Sequence, residues 1–200
     1  MNAVNPFKPI TIYEGIVTNN HEAQQEYRQI IKELRQMDIL VSEDEEIELK
    51  DSHTPPMETD YFASQTEEGW EAKMNYWGPF CEKYLKPLVV NVTEKEDCGE
   101  LALDDVWTQI TSGFMQHHPH DHGDVGYSFV WYIDVDPSVH QGTLYYDPNH
   151  SKDNQYQTEV QVGKVCIWPS WLLHYQPPSN SDINRYIISG NLAASSGGLH

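Results

Sequence analysis

Residues 128–135 read SFVWYIDV. Side chains alternate across a strand, so Phe129, Trp131, Ile133 and Val135 fall on one face and Ser128, Val130, Tyr132 and Asp134 on the other. β-Branched and aromatic residues suit such a pleated, half-buried surface. The same texture recurs around it in VWTQITSGFMQ (106–116), GTLYYD (142–147), TEVQV (158–162), KVCIW (164–168) and RYIISGNL (185–192), with Gly, Pro, Asp and Asn between the runs. Several short strands with turn signals between them predict an all-β sandwich or barrel from about residue 105 onward.

Upstream the period changes from two to that of a helix. Residues 21–37, HEAQQEYRQIIKELRQM, place Tyr27, Ile30, Ile31, Leu34 and Met37 on one stripe, with Asn20 positioned to cap the start. A second helical stretch begins near Glu67 and keeps Trp70, Met74, Trp77, Cys81, Tyr84, Leu85 and Leu88 in period. Gly78-Pro79 is expected to kink or divide it, and Pro87 to disturb its end. Residues 43–60 are acidic and contain two prolines, which predicts a surface loop or short edge strand. The expected class is α+β, mainly β. One domain spans 1–200, with a helical support region over 1–100 packed outside a β core over 101–195.

Composition narrows the function classes. The chain has 200 residues, enough for one substantial core. It carries 31 acidic against 12 basic residues, a formal net charge of −19. That argues against a nucleic-acid footprint, which needs Lys and Arg to displace counterions from phosphates. No apolar run is long enough for a transmembrane helix, and the first residues lack the basic start and apolar stretch of a signal peptide, so a cytoplasmic protein is expected. Cys81, Cys98 and Cys166 form no CxxC pair, which speaks against a disulfide framework or a Cys-rich zinc site.

The chemistry is concentrated in MQHHPHDHGD, residues 115–124, and in His174. Neutral imidazole ligates Fe, Zn, Cu and Ni, and side chains at i and i+2 reach one ion where the chain turns between them. An open-sided Fe(II) site takes two His and one carboxylate on a single face. Two registers fit: His122 with Asp124, or His120 with His122, each completed by His174. His122 belongs to both. His117 and His118 are expected to end the preceding strand or to support the ligands from behind. Downstream, Arg185, Ile187, Ser189 and Asn191 alternate onto one strand face, and a guanidinium there can grip a carboxylate with two hydrogen bonds or form a structural salt bridge. Trp168, Trp171, Tyr132 and Tyr145 are candidates for a pocket wall or for ordinary β-core packing.

The order PHDHGDVGYSFVWYI, GTLYYDP, WPSWLLH, then Arg185 and SGN, resembles the 2-oxoglutarate/Fe(II) oxygenase superfamily. More narrowly it resembles a group of small oxygenase-like proteins of marine bacteria and their phages. The match covers roughly residues 105–192. The resemblance implies a double-stranded β-helix (jelly-roll or cupin-like) fold. It implies His174 as the distal iron ligand, and Arg185 as the anchor for the far carboxylate of 2-oxoglutarate, helped by a hydroxyl such as Ser189 or Tyr132. The narrower group favours His-x-His and the wider superfamily His-x-Asp or His-x-Glu, so both His120 and Asp124 stay open beside His122. The expected activity is hydroxylation of a C–H bond with dioxygen, on a protein or peptide side chain or a small molecule. A cupin-like three-His metalloenzyme and a non-catalytic jelly-roll binding module are the alternatives; Arg185 separates the cupin-like enzyme from the oxygenase, and a protein that takes up no iron and binds no keto acid would be the binding module.

Overall fold

The computed structural model describes residues 1–7, 10–42, 57–112, 115–147, 154–179 and 181–194. In chain order the elements are β1 (Asn2–Phe7), β2 (Ile10–Ile16), α1 (Asn20–Gln36), β3 (Val41–Ser42), β4 (Glu58–Thr59), a 3₁₀ turn (Tyr61–Gln65), α2 (Glu67–Tyr84), α3 (Lys86–Glu96), β5 (Leu101–Thr111), β6 (His117–His120), β7 (Tyr127–Asp134), β8 (Leu144–Tyr146), β9 (Gln155–Gln157), β10 (Lys164–Pro169), β11 (His174–Gln176) and β12 (Arg185–Ala194).

Two antiparallel sheets result. The larger runs β1-β2-β10-β7-β12-β5-β4-β3 and the smaller β6-β11-β8-β9. From β5 to β12 the chain passes back and forth between them, an arrangement consistent with a double-stranded β-helix. The three helices cover one face of the larger sheet. There Tyr27, Ile31 and Leu34 of α1 and Trp77, Phe80 and Tyr84 of α2 pack with Phe129, Trp131, Ile167 and Ile188. The other face meets the smaller sheet through Val130, Tyr132, Tyr145, Cys166, Trp168 and Ile187.

The first hundred residues are not only helical. β1 and β2 form a hairpin that pairs with β10 through β2, so the sheet gains two strands from a region expected to be helical support. The ITIYEGI run has the period of two that this requires: Ile10 and Ile12 enter the core on one face and Tyr13 the core on the other. Of 43–60, expected as a surface loop or short edge strand, the described part forms the short strand β4, paired on both sides by β3 and β5 with β3 at the edge; residues 43–56 lie outside the described residues.

Local expectations differ from the structure at four places. Asn20 is the first residue of α1 rather than its cap. Its side chain lies against Gly163, whose φ of +81° and lack of a Cβ allow the approach. Pro79 sits inside an uninterrupted α2; the helices separate at Leu85, and Pro87 falls in the first turn of α3, where a missing N–H costs nothing. TEVQV is not a strand. β9 precedes it, Thr158 N donates to Thr143 O at 3.1 Å, and Val160 and Val162 pack against the inner core as irregular chain. Finally, strict alternation in β7 fails after Ile133. The β7–β12 register slips there, so Asp134 turns toward the helices and pairs with Arg28 of α1 at 2.8 Å, while Val135 joins the opposite core. Gln24 of α1 donates to the Ile133 carbonyl at 2.8 Å, which gives that carbonyl a partner at the irregularity.

Candidate metal centre

His120 ends β6 and His174 begins β11, and the two stand opposite each other in the antiparallel register. His122 follows two residues later, in the loop before β7. Its backbone N–H donates to Ser170 O at 2.9 Å, which fastens that loop to the turn after β10. Ser170 Oγ adds a bond to Gly123 O at 2.7 Å and accepts from the N–H groups of Val125 and Gly126. Gly126 has φ +117°, and a Cβ there would meet Leu192 O at 2.6 Å, so the return into β7 has room only for glycine. The pinned loop brings one ring nitrogen from each of His120, His122 and His174 to within 4.8 Å of the others.

The hydrogen bonds fix which nitrogen that can be. His120 Nδ1 is 2.7 Å from His118 O and His174 Nδ1 is 2.8 Å from Leu172 O. A carbonyl only accepts, so each Nδ1 carries the proton and each Nε2 keeps its lone pair. His122 Nδ1 stands 2.6 Å from Asn191 Oδ1, which also accepts from Ser128 Oγ at 3.0 Å. Burial holds His174 well below the usual imidazole range, reinforced by His120. Burial also lowers His122, against the hydrogen bond to Asn191. Neutral imidazoles with oriented lone pairs are the state a metal requires.

The remaining sequence candidates separate. Asp124 is exposed and stands outside the group of donors that converge, which is His120, His122 and His174. His117 starts β6 and its ring lies 4.2 Å from that of His120. Its Nδ1 is 3.4 Å from Gln109 Nε2, and burial with the neighbouring His120, His122 and Arg185 pushes its pKa down to about 3.

Arg185 opens β12, is 3% exposed, and lines a narrow cavity with the three histidines, Ser189 and Trp168. Its Nε has no hydrogen-bond partner, and among the described residues no carboxylate pairs with it. Burial pushes its pKa down to about 10. Tyr132 is fully buried with its hydroxyl on Thr143, 2.8 Å from both the Thr143 Oγ1 and the Thr143 N–H that donates to it. The indole Nε1 of Trp168 and the hydroxyl of Tyr145, whose ring lies 5.1 Å from Trp168, are also buried without partners. Trp171 is exposed.

Sequence reasoning missed the residues that β5 and the 3₁₀ turn contribute. Trp107 stacks on His122 at 5.6 Å, and Gln109 reaches His117. Tyr61 and Phe62 stand beside Trp107 at the rim of a second cavity of about 470 Å³, which shares His117, His120 and His122 with the first. Alternation within VWTQI already put Trp107 and Gln109 on one face. Nothing local revealed that this face looks at the histidines.

No protein-family model matches the chain, and no curated protein matches it in sequence. Solved structures match its fold. The non-heme alpha ketoglutarate dependent carbocyclase SnoK from nogalamycin biosynthesis superposes with TM-score 0.63 at 8% identity, over 93% of this chain and 84% of that one. The epimerase SnoN in complex with Fe3+, alpha ketoglutarate and nogalamycin RO gives 0.58 at 10% identity, over 92% and 79%. The 2OG complex of the viral collagen prolyl hydroxylase of Paramecium Bursaria Chlorella virus-1 gives 0.55 at 13% identity, over 92% and 95%. The chain therefore has the fold of 2-oxoglutarate- and Fe(II)-dependent oxygenases. Those three proteins run three different reactions on it, so the fold does not choose the reaction.

Proposed function

We propose that this protein is an oxygenase that uses Fe(II) and 2-oxoglutarate to oxidise a C–H bond. The observation that carries the reading is Arg185: a buried guanidinium with no carboxylate against it among the described residues, in the same cavity as three imidazoles whose ring nitrogens converge. A buried charge without a counterion is costly, and a bound carboxylate relieves it.

His120, His122 and His174 would hold the metal, and the donor set fits. Three neutral nitrogens leave an octahedral ion three further positions, enough for a bidentate keto acid and dioxygen. They also leave the charge of a dication uncompensated, which a dianionic keto acid cancels. When bound, the iron and the keto acid supply the oxidising power of dioxygen, with 2-oxoglutarate leaving as succinate and carbon dioxide. The chain's part is to bind, orient and exclude water. Arg185 takes the distal carboxylate in a two-pronged grip. Ser189 offers a hydroxyl on the same strand face, and Trp168 Nε1 and Tyr145 OH are unpaired donors close by. Free space in this cavity is about 30 Å³, so a five-carbon diacid enters only as lining side chains change rotamer.

Hydroxylation is the reaction we favour among those open to the fold. The reading takes residues 1–200 as one domain. A cytoplasmic setting suits three unpaired cysteines, and no helix among the described residues is long and apolar enough to cross a membrane. A three-histidine set without a carboxylate favours a second reading, a cupin-like metalloenzyme that needs no keto acid. Anaerobic titration of the iron-loaded protein with 2-oxoglutarate, followed by calorimetry and by the visible charge-transfer band, decides between them. Saturable binding supports the oxygenase. Iron uptake without keto-acid binding leaves the cupin-like enzyme, and uptake of neither leaves a binding module.

A further inference from the structure

The larger cavity beside the histidines has a wall composition that constrains what can enter it. Rings form a continuous path along one side. Phe62 meets Tyr61 edge-on at 5.6 Å, Tyr61 meets Trp107 at 5.2 Å, and Trp107 stacks on His122 at 5.6 Å. Tyr61 and Phe62 are 47% and 40% exposed, large aromatic faces left without cover on a turn that buries none of its residues. Among the described residues the lining contains no Lys or Arg and two carboxylates, Asp105 and Asp121. Asp105 is already matched, by Lys73 at 2.9 Å and by Ser64 Oγ at 2.8 Å. Asp121 uses one oxygen to accept from the Gly123 N–H, and among the described residues no Lys or Arg pairs with it.

Aromatic faces attract cations through the ring quadrupole, and a carboxylate beside them adds to the attraction. An anion would meet the opposite: among the described residues no Lys or Arg in the wall and one carboxylate without an ion pair, in a chain of net charge −19. The volume, about 470 Å³, seats a whole small molecule. We propose that this cavity takes the primary substrate, and that the substrate is a small organic cation with an apolar body, such as a substituted ammonium compound. This rests on the oxygenase reading for what happens next, because the cavity shares His117, His120 and His122 with the metal centre. A dication, a dianionic keto acid and the Arg185 guanidinium sum to one positive charge, which the carboxylate of Asp121 in this cavity's wall offsets.

The test uses the full chain and three probes of nearly one shape: choline, its neutral isostere neohexanol, and the tert-butylacetate anion, each titrated by calorimetry. Choline should bind about ten-fold more tightly than neohexanol, and the anion should show no saturable binding. Replacing both Tyr61 and Phe62 with Ala should weaken choline by about ten-fold or more, and Asp121→Asn should narrow the gap between choline and neohexanol. These side chains are exposed, and circular dichroism checks that each variant folds. Equal binding of choline and neohexanol, no binding of choline, or preference for the anion overturns the proposal. A parallel titration with 2-oxoglutarate keeps the two readings apart. Choline without keto-acid binding sinks the oxygenase and leaves a cation site; keto acid without choline leaves the oxygenase and removes this substrate class.

Discussion

Two buried cations, Lys73 on α2 and Arg185 on β12, are treated differently. Lys73, on the helix side, is fully buried and ion-paired with Asp105 at 2.9 Å, close enough for charge pairing though not aligned for a hydrogen bond. Near it Asp60 accepts from Trp77 Nε1 at 2.6 Å and from Thr108 N at 2.7 Å. Arg185, on the inner face, has no such company. The helix-side group is answered within the chain and contributes to the fold. The inner one is left for something from outside. Uncompensated burial on one face of a strand whose other face is conventionally packed marks a binding site better than burial or charge alone.

The largest effect that would break this contrast is loss of the metal. His174→Ala and His120→Ala should each abolish stoichiometric iron binding with the circular dichroism spectrum unchanged, whereas Asp124→Ala should bind iron as wild type does. Full iron content in His174→Ala, read by metal analysis, would falsify the placement of the centre. Next comes the anion. Arg185→Ala should weaken 2-oxoglutarate by roughly 30- to 5,000-fold, with Arg185→Lys between it and wild type, because Lys keeps the charge and loses the fork. Iron affinity should not change in either.

Asn191→Ala tests the support behind His122. Loss of the acceptor on Nδ1 should lower iron affinity by about 10- to 100-fold, and Asn191→Asp, which keeps an oxygen there, should recover most of it. An unaltered isotherm for Asn191→Ala would mean that His122 needs no orienting partner. Stability sharpens the same contrast between the two cations. Lys73→Met should destabilise the protein by roughly 1–3 kcal/mol in urea melts, since it strands Asp105. Arg185→Met should leave the midpoint unchanged or raise it, since it removes a charge that has no partner. If both lose stability equally, Arg185 is structural.

The smallest effect is on pH. Burial depresses the pKa of His117 to about 3, against about 6.5 when unfolded. Between those values the unfolded chain binds the proton and the folded chain does not, so stability falls as pH drops from about 6.5 toward 3. Burial raises Asp60 to about 6, and it works the other way, adding stability as pH drops from about 6 toward 3.8. His117→Gln should therefore flatten the acid loss in metal-free protein measured by thermal melts, and an unchanged profile would place the loss elsewhere.

Local chemistry made several of these features legible. The face shared by Arg185, Ile187, Ser189 and Asn191 follows from the period of two: Arg185, Ile187 and Ser189 line the inner cavity and Asn191 lines its neighbour. Of the stripe Tyr27, Ile30, Ile31, Leu34 and Met37, the first four are buried as their spacing predicts, and Met37, at the C-cap, is exposed. Local chemistry did not reveal that Pro79 is carried within a helix, or that the β7 register slips at Ile133, because neighbouring elements supply the partners that make each tolerable.

By itself the sequence determined that His122 and His174 are available to one site, that Arg185 shares a strand face with Ser189 and Asn191, and that anions find few cations in this chain. Those properties follow from residue identity and strand periodicity, which need no partner. The choice between His120 and Asp124 was beyond it, since each lies two residues from His122. The antiparallel register sets His120 opposite His174, which is the arrangement our proposal builds on, while Asp124 lies in the exposed loop before β7. Whether Arg185 has a counterion, and that Tyr61, Phe62 and Trp107 stand beside the histidines, were likewise settled only in three dimensions, because both depend on contacts between segments far apart in the chain.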